Sequence, residues 1–232
     1  MAQAAQLFFI SVHYHCFLLQ ETDKLFNGTD VLVLNHIQPF YEFWNENSNL
    51  NNVPQYFAVN TISYINIATL LLPGLQKTNG SIVVVSSFVA VVPIPRAAPY
   101  CGNKGALHGF FNSLRQDLVL QGHKGVSITI CILGGIKTKS ATELMKGFPV
   151  EKSNLKREPV DECALAMIRG VALKRRQMYF PWYLSILEIT HFFFPNFVEN
   201  IIQVATKEKP VEDMWKWWHF TSLMMLLTLI SL

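Results

Sequence analysis

A chain of 232 residues, half of them hydrophobic and 15% charged, is long enough for one domain with a buried core and too apolar for a disordered chain. Its 19 basic and 16 acidic side chains leave a net charge of +3, which argues against nucleic acid as a partner. Cys16, Cys101, Cys131 and Cys163 form no Cys-x-x-Cys pair and have no histidine at zinc spacing, so they read as buried thiols and no metal site is expected.

The N-terminal run MAQAAQLFFISVHYHC lacks a basic leader and its apolar stretch is broken by histidines, so it does not read as a signal peptide. Residues 7–12 within it are a weak strand candidate. The clearest strands are DVLVLN (30–35), SIVVVSS (81–87) and VSITICIL (126–133), each β-rich and apolar on both faces, the pattern of buried parallel strands. Residues 50–75 and 99–121 have helical periodicity and are long enough to be crossovers between parallel strands. A further helix is expected from Val160 to about Lys174, opened by Pro159 with Asp161 and Glu162 in its first turn. The basic cluster Lys174, Arg175 and Arg176 then reads as a solvated helix end. QMYF (177–180) fits a last short strand stopped by Pro181.

Residues 182–204 are aromatic and mostly apolar, and read as an amphipathic helical pair: a lid over the core, a surface dipping into lipid, or both. Phe192, Phe193 and Phe194 are expected to face lipid or core. From Met214 onward the chain is almost uncharged, but its uninterrupted apolar part, residues 220–232, falls short of the roughly 20 residues that span a bilayer. Trp215, Trp217 and Trp218 suit a membrane interface, the alternative being a tail packed on the domain or on a partner subunit. The sequence thus divides into an α/β domain (1–180) and an aromatic helical lid with an apolar tail (181–232). The sequons at Asn27 and Asn79 matter only if the chain faces a secretory lumen.

Ligands of a parallel α/β sheet sit at the carboxyl ends of its strands, and polar groups gather there. Ser86 and Ser87 end one strand, Asn35 ends another, and Gly134 and Gly135 follow a third. Tyr100 and Lys104 stand one turn apart on the next helix, so both side chains point the same way. A lysine cation beside a tyrosine lowers a phenol pKa that is otherwise near 10, and a serine hydroxyl can bind a substrate oxygen as charge develops on it. Such a set suits carbonyl reduction or its reverse, with hydride from a nicotinamide.

Ser87 followed by Tyr100-x-x-x-Lys104 resembles the signature of the short-chain dehydrogenase/reductases. Asn60, in AVNTISY, falls where that family places a structural-water asparagine beside the catalytic three. LGGIKT resembles the family's nicotinamide loop, with Ile136 and Thr138 in the contacting positions and Leu133-Gly134 replacing Pro-Gly. Asn35, His36 and Ile37 stand where the broader family has Asn-Ala-Gly, and with Tyr100 and Lys104 complete the cofactor-contact set. His36 reads as a loop hydrogen-bond partner rather than a base, and His108 as a surface or interface residue.

Within the family, LVLNHI, NGSIVVVSS, GALHGFFNSLRQDL and ECALAMIRGVAL look like the 11-beta-hydroxysteroid dehydrogenase branch, a likeness covering roughly residues 31–198. It implies an NADP(H)-dependent oxidoreductase that interconverts a hydroxyl and a ketone on a steroid. It also implies a homodimer formed through the two long helices, associated with the endoplasmic reticulum membrane.

The family pattern opens with a strand, a Thr-Gly-x-x-x-Gly-x-Gly turn that binds pyrophosphate, and a helix. No such stretch occurs here, and residues 7–12 resemble the family's third strand. The expected fold is a Rossmann-like parallel sheet flanked by helices, N-terminally shortened and leaving an apolar edge. Each charge-assisted hydrogen bond to phosphate that is lost costs about 1.5–3 kcal/mol of cofactor binding. Three readings follow: an oxidoreductase, a catalytically impaired isoform or pseudoenzyme acting as a dimerising membrane-associated protein, or a longer form that carries the glycine loop.

Overall fold

The computed structural model describes residues 27–38, 43–144 and 157–206, together with Glu21 and Leu25. The strand expected at 7–12, Cys16 and the tail from Met214 lie outside the described residues.

Among the described residues four parallel strands form one sheet in sequential order: β1 (Val31–Leu34), β2 (Ser81–Ser87), β3 (Ser127–Leu133) and β4 (Gln177–Phe180). Ser87, Leu133 and Phe180 align in one row, which marks the carboxyl edge of the sheet. The long segment before β2 is a single helical run with a change of gait. It passes from a 3₁₀ turn (Leu50–Asn52) through α1 (Val53–Phe57) and a π-helical turn (Ala58–Ile62) into α2 (Ser63–Thr78). The remaining helices are α3 (Ala98–Leu120), α4 (Lys139–Leu144), α5 (Val160–Ala172), α6 (Leu184–Phe193) and α7 (Pro195–Ala205).

The run 50–78 is long and apolar enough to cross a membrane by length and composition, but its inner stripe is used within the protein. Tyr64, Ala68, Leu71 and Leu75 recur at helical spacing and pack on Leu32, Leu34, Ile82 and Val84. Leu107, Phe111 and Leu118 of α3 add to the same face, against Ile128, Ile130 and Ile132. Each such buried side chain contributes roughly 1.5–3 kcal/mol by leaving water. On the opposite face α5 sets Ala166, Met167 and Val171 against Val83, Cys131 and Met178.

Asn79 adopts a left-handed backbone (φ 54°) and Gly80 returns its N–H to the Leu75 carbonyl, which closes α2. Gly80 is required there: a Cβ would lie 2.6 Å from the Thr29 carbonyl oxygen. This turn delivers β2 into register beside β1.

Val31 and Val33 are 52% and 54% exposed on the α5 face, beside a cavity of about 600 Å³. Residues 182–204 do form a helical pair, α6 and α7, and Phe192 and Phe193 at the end of α6 stand largely exposed.

Candidate active site

The site grows from the end of β2. Ser87 is its last residue, and its hydroxyl caps a short 3₁₀ turn (Phe88–Ala90) by accepting from the N–H of Val89. The chain then loops through Arg96, held left-handed at φ 64°, to Pro99 in the first turn of α3. Tyr100 follows at once, buried, with its phenol hydrogen-bonded to the Ser87 side chain.

Lys104 is one turn on, only 3% exposed, and its ammonium donates to the Val85 carbonyl at 2.8 Å. The same ammonium lies 5.2 Å from the centre of the Tyr64 ring. Burial lowers its pKa to about 8. The spacing predicts a Tyr100 phenol made more acidic by this cation, and the structure differs. The phenol is pushed up, first by burial and further by Cys101, with the Ser87 hydrogen bond opposing. The reason is geometric: the ammonium is committed to the Val85 carbonyl, and desolvation dominates at Tyr100.

Asn60 sits fully buried in the π-helical turn, a type of irregularity often found at functional sites. Its side chain is spent on one neighbour, accepting from the Gln38 N–H and donating to the Gln38 carbonyl, both at 2.8 Å. Asn60 therefore fastens the loop after β1 to the long helix. His36 belongs to the same fastening, as a loop hydrogen-bond partner. Its Nε2 meets the Ser63 hydroxyl, and its carbonyl accepts from Tyr64 at 2.7 Å. The side chain of Ile37 is exposed.

Asn35, Leu133, Ile136 and Thr138 border the 600 Å³ cavity, whose remaining walls are apolar residues of β1, β2 and α5. Thr138 stands at the mouth of α4, where its hydroxyl accepts from the Ala141 N–H. The structure thus brings the candidates into three groups: Ser87, Tyr100 and Lys104 at the end of β2; Asn35, Ile136 and Thr138 around the cavity; Asn60 and His36 in the loop clasp.

Two features were not read from the sequence. Tyr64 packs under the Lys104 ammonium, four residues after Asn60 on the same helix run. His108, expected at a surface or interface, is half-buried, and its Nε2 lies 2.8 Å from the Ser86 hydroxyl. Its spacing of four from Lys104 was the available signal.

Among the described residues no cluster of His, Cys, Asp or Glu could hold a metal ion. What remains is a hydrogen-bonded Ser–Tyr pair backed by a buried lysine at the carboxyl edge of a parallel sheet. That arrangement can polarise a carbonyl and hand its oxygen a proton.

The model of the short chain dehydrogenase family matches residues 16–147. A protein named hydroxysteroid 11-beta-dehydrogenase 1-like in Xenopus tropicalis is 40% identical over 188 residues, covering 80% of this chain and 63% of that protein. Its namesake in Gallus gallus is 42% identical over 171 residues, covering 73% of this chain and 57% of that protein. The chain thus spans less than two thirds of these relatives. A Burkholderia cenocepacia short chain dehydrogenase solved with NADP superposes with a TM-score of 0.66 at 16% identity, covering 82% of this chain and 74% of that one. A Thermococcus sibiricus alcohol dehydrogenase complexed with 5-hydroxy-NADP gives 0.58 at 18% identity, covering 72% and 69%. Both likenesses establish the fold alone. Together with the signature at Ser87, Tyr100 and Lys104, the family match places the chain: it belongs to the short-chain dehydrogenase family.

Proposed function

We propose that this chain is an NADP(H)-dependent oxidoreductase interconverting a hydroxyl and a ketone on a steroid-like substrate. The observation that carries the reading is the Ser87–Tyr100 hydrogen bond at the end of β2, with Lys104 buried one turn beyond. The names of the relatives favour a steroid, and the NADP complexes of the structural neighbours favour that cofactor.

The nicotinamide end of such a cofactor fits the residues present. The cavity between α5 and the open face of β1 and β2 has apolar walls, with the polar side chains of Asn35 and Thr138 where it borders the carboxyl edge. Asn35, Ile136 and Thr138 would hold it. A bound nicotinamide supplies the hydride. Tyr100 gives its phenolic proton to the substrate oxygen, and Ser87 hydrogen-bonds that oxygen as charge develops on it. Lys104, tied to the Val85 carbonyl, holds the end of β2 beneath the pair. Because burial keeps Tyr100 protonated, the site is set as a proton donor, the state that ketone reduction needs.

Homodimerisation through α2 and α3 and attachment to the endoplasmic reticulum membrane belong to the same proposal. The exposed aromatic run at the end of α6, with Phe192 79% exposed, supports contact with lipid. Asn27 and Asn79 are both exposed, so glycan removal followed by a mass shift tests the lumenal placement.

A second reading, a non-catalytic membrane-associated protein that keeps the fold, is favoured by one observation. The sheet face at Val31 and Val33 is open beside the cavity. NADPH binding, followed by nicotinamide fluorescence with Lys104→Ala alongside, separates the two. Micromolar binding weakened in the variant supports the oxidoreductase, and no binding at millimolar NADPH supports the second reading.

A further inference from the structure

We propose that His108 is a positioning residue of the Ser87–Tyr100–Lys104 site, acting through its hydrogen bond to Ser86. The proposal rests on the oxidoreductase reading for its purpose, although the geometry stands without it.

Three successive residues of β2 are each fastened to α3. The Val85 carbonyl accepts from Lys104, the Ser86 hydroxyl meets His108 at 2.8 Å, and Ser87 bonds Tyr100. The three helix residues are four apart, so they form one stripe along α3. The pairs do not run in step along the two elements: Val85, Ser86 and Ser87 take Lys104, His108 and Tyr100 in that order.

Side chains alternate across a strand, so Ser86 and Ser87 leave β2 on opposite faces. Ser86, 3% exposed, lies on the α3 face with Ile82 and Val84, and His108 is the partner the structure gives its hydroxyl. Anchoring Ser86 to α3 fixes the rotation of the last residues of β2, and with it the direction of the Ser87 hydroxyl. It also fixes the peptide whose carbonyl receives Lys104.

The ring suits this place because it stays neutral. Burial holds the His108 pKa down to about 4, and the Lys104 charge opposes its protonation as well. A neutral imidazole can satisfy a serine hydroxyl without setting a second cation beside Lys104.

The test compares His108→Leu, His108→Gln and Ser86→Ala in the full chain. Glutamine can reproduce one imidazole hydrogen bond. Three quantities are read: the Lys104 titration midpoint by NMR of its ε-carbon, the NADPH dissociation constant by nicotinamide fluorescence, and Tm. His108→Leu is expected to let water reach Lys104, raising its midpoint by a unit or more, and to weaken NADPH binding tenfold or more. His108→Gln is expected to restore the midpoint and bring binding within threefold of wild type. Ser86→Ala is expected to reproduce the leucine variant, with no further change when the two are combined.

The proposal is overturned if His108→Leu lowers Tm while the Lys104 midpoint and the dissociation constant stay within experimental spread. His108 would then be a core residue only. If His108→Leu does not fold, Ser86→Ala decides by the same criteria. If wild type binds no NADPH, the oxidoreductase reading fails, and the Lys104 midpoint alone still decides whether His108 positions that lysine.

Discussion

Lys104 reaches from α3 to the carbonyl of Val85 in β2 at 2.8 Å, and so lies beneath Ser87 and Tyr100 rather than beside solvent. A lysine so placed gains a hydrogen bond and the face of Tyr64, yet loses nearly all its hydration. The depressed pKa shows that hydration loss is the larger effect. A buried cation that costs stability is the kind of feature that persists at functional sites.

Lys104→Met is therefore expected to stabilise the fold near pH 7. Below about pH 8 native and unfolded lysine are both protonated, and the burial cost is fully present. Between that value and the ordinary 10.5 the unfolded chain keeps the proton that the native chain has lost, so wild-type stability rises with pH. Urea denaturation at pH 7 should show the variant more stable by on the order of 1–3 kcal/mol, with the gain fading by pH 10.5. An unchanged or lower midpoint at pH 7 would contradict the assigned burial.

Tyr100→Phe removes the proton donor and one partner of Ser87 while keeping the ring in its place. Turnover of a ketone substrate should fall about 10²–10⁴-fold, a larger loss than any in NADPH affinity. Ser87→Ala should also act on turnover more than on cofactor binding, by roughly 10²-fold or more. Steady-state kinetics with parallel binding measurements check both.

His108 gives an acid-side signature. Its native pKa near 4 lies below the ordinary 6.5, so the unfolded chain binds a proton first as pH falls. Stability from this group is fully present above 6.5 and is lost as pH drops toward 4, by at most about 3 kcal/mol. The difference between wild type and His108→Gln across that window isolates it from the carboxylates.

Thiol reactivity should follow burial. Cys131 is fully buried in β3, with its pKa pushed up to about 12 by burial and by neighbouring Cys163, itself buried on α5. Cys101 is only half-buried. Alkylation of the native protein at pH 8, read site by site by mass spectrometry, should modify Cys101 at least about tenfold faster than Cys131.

The strands were legible because each is an apolar run bounded by turn residues, and where bounds shifted a specific hydrogen bond decided. β3 starts at Ser127, since Val126 spends its N–H on the His123 carbonyl in the preceding turn. The helix expected to end near Lys174 stops at Ala172, because Lys174 turns left-handed and Arg175 returns its N–H to Gly170. α2 runs on to Thr78, and the Asn79-Gly80 pair ends it.

Within the site, the Ser87–Tyr100–Lys104 spacing was readable because it follows from one strand end and one helix stripe. The π-helical turn, the full use of Asn60 on Gln38 and the direction of the Lys104 ammonium were not. Each depends on packing between segments distant in sequence, where neither period nor propensity carries information. The rise of the Tyr100 pKa was hidden for the same reason, since its burial is created by tertiary packing.

The most direct test of the account is transfer of deuterium from 4-deuterated NADPH to a steroid ketone, using wild type and Tyr100→Phe. Wild type should give a deuterated alcohol, and the variant a yield lower by a hundredfold or more. NADPH binding by wild type with no label in the product, or equal labelling by both proteins, would contradict it.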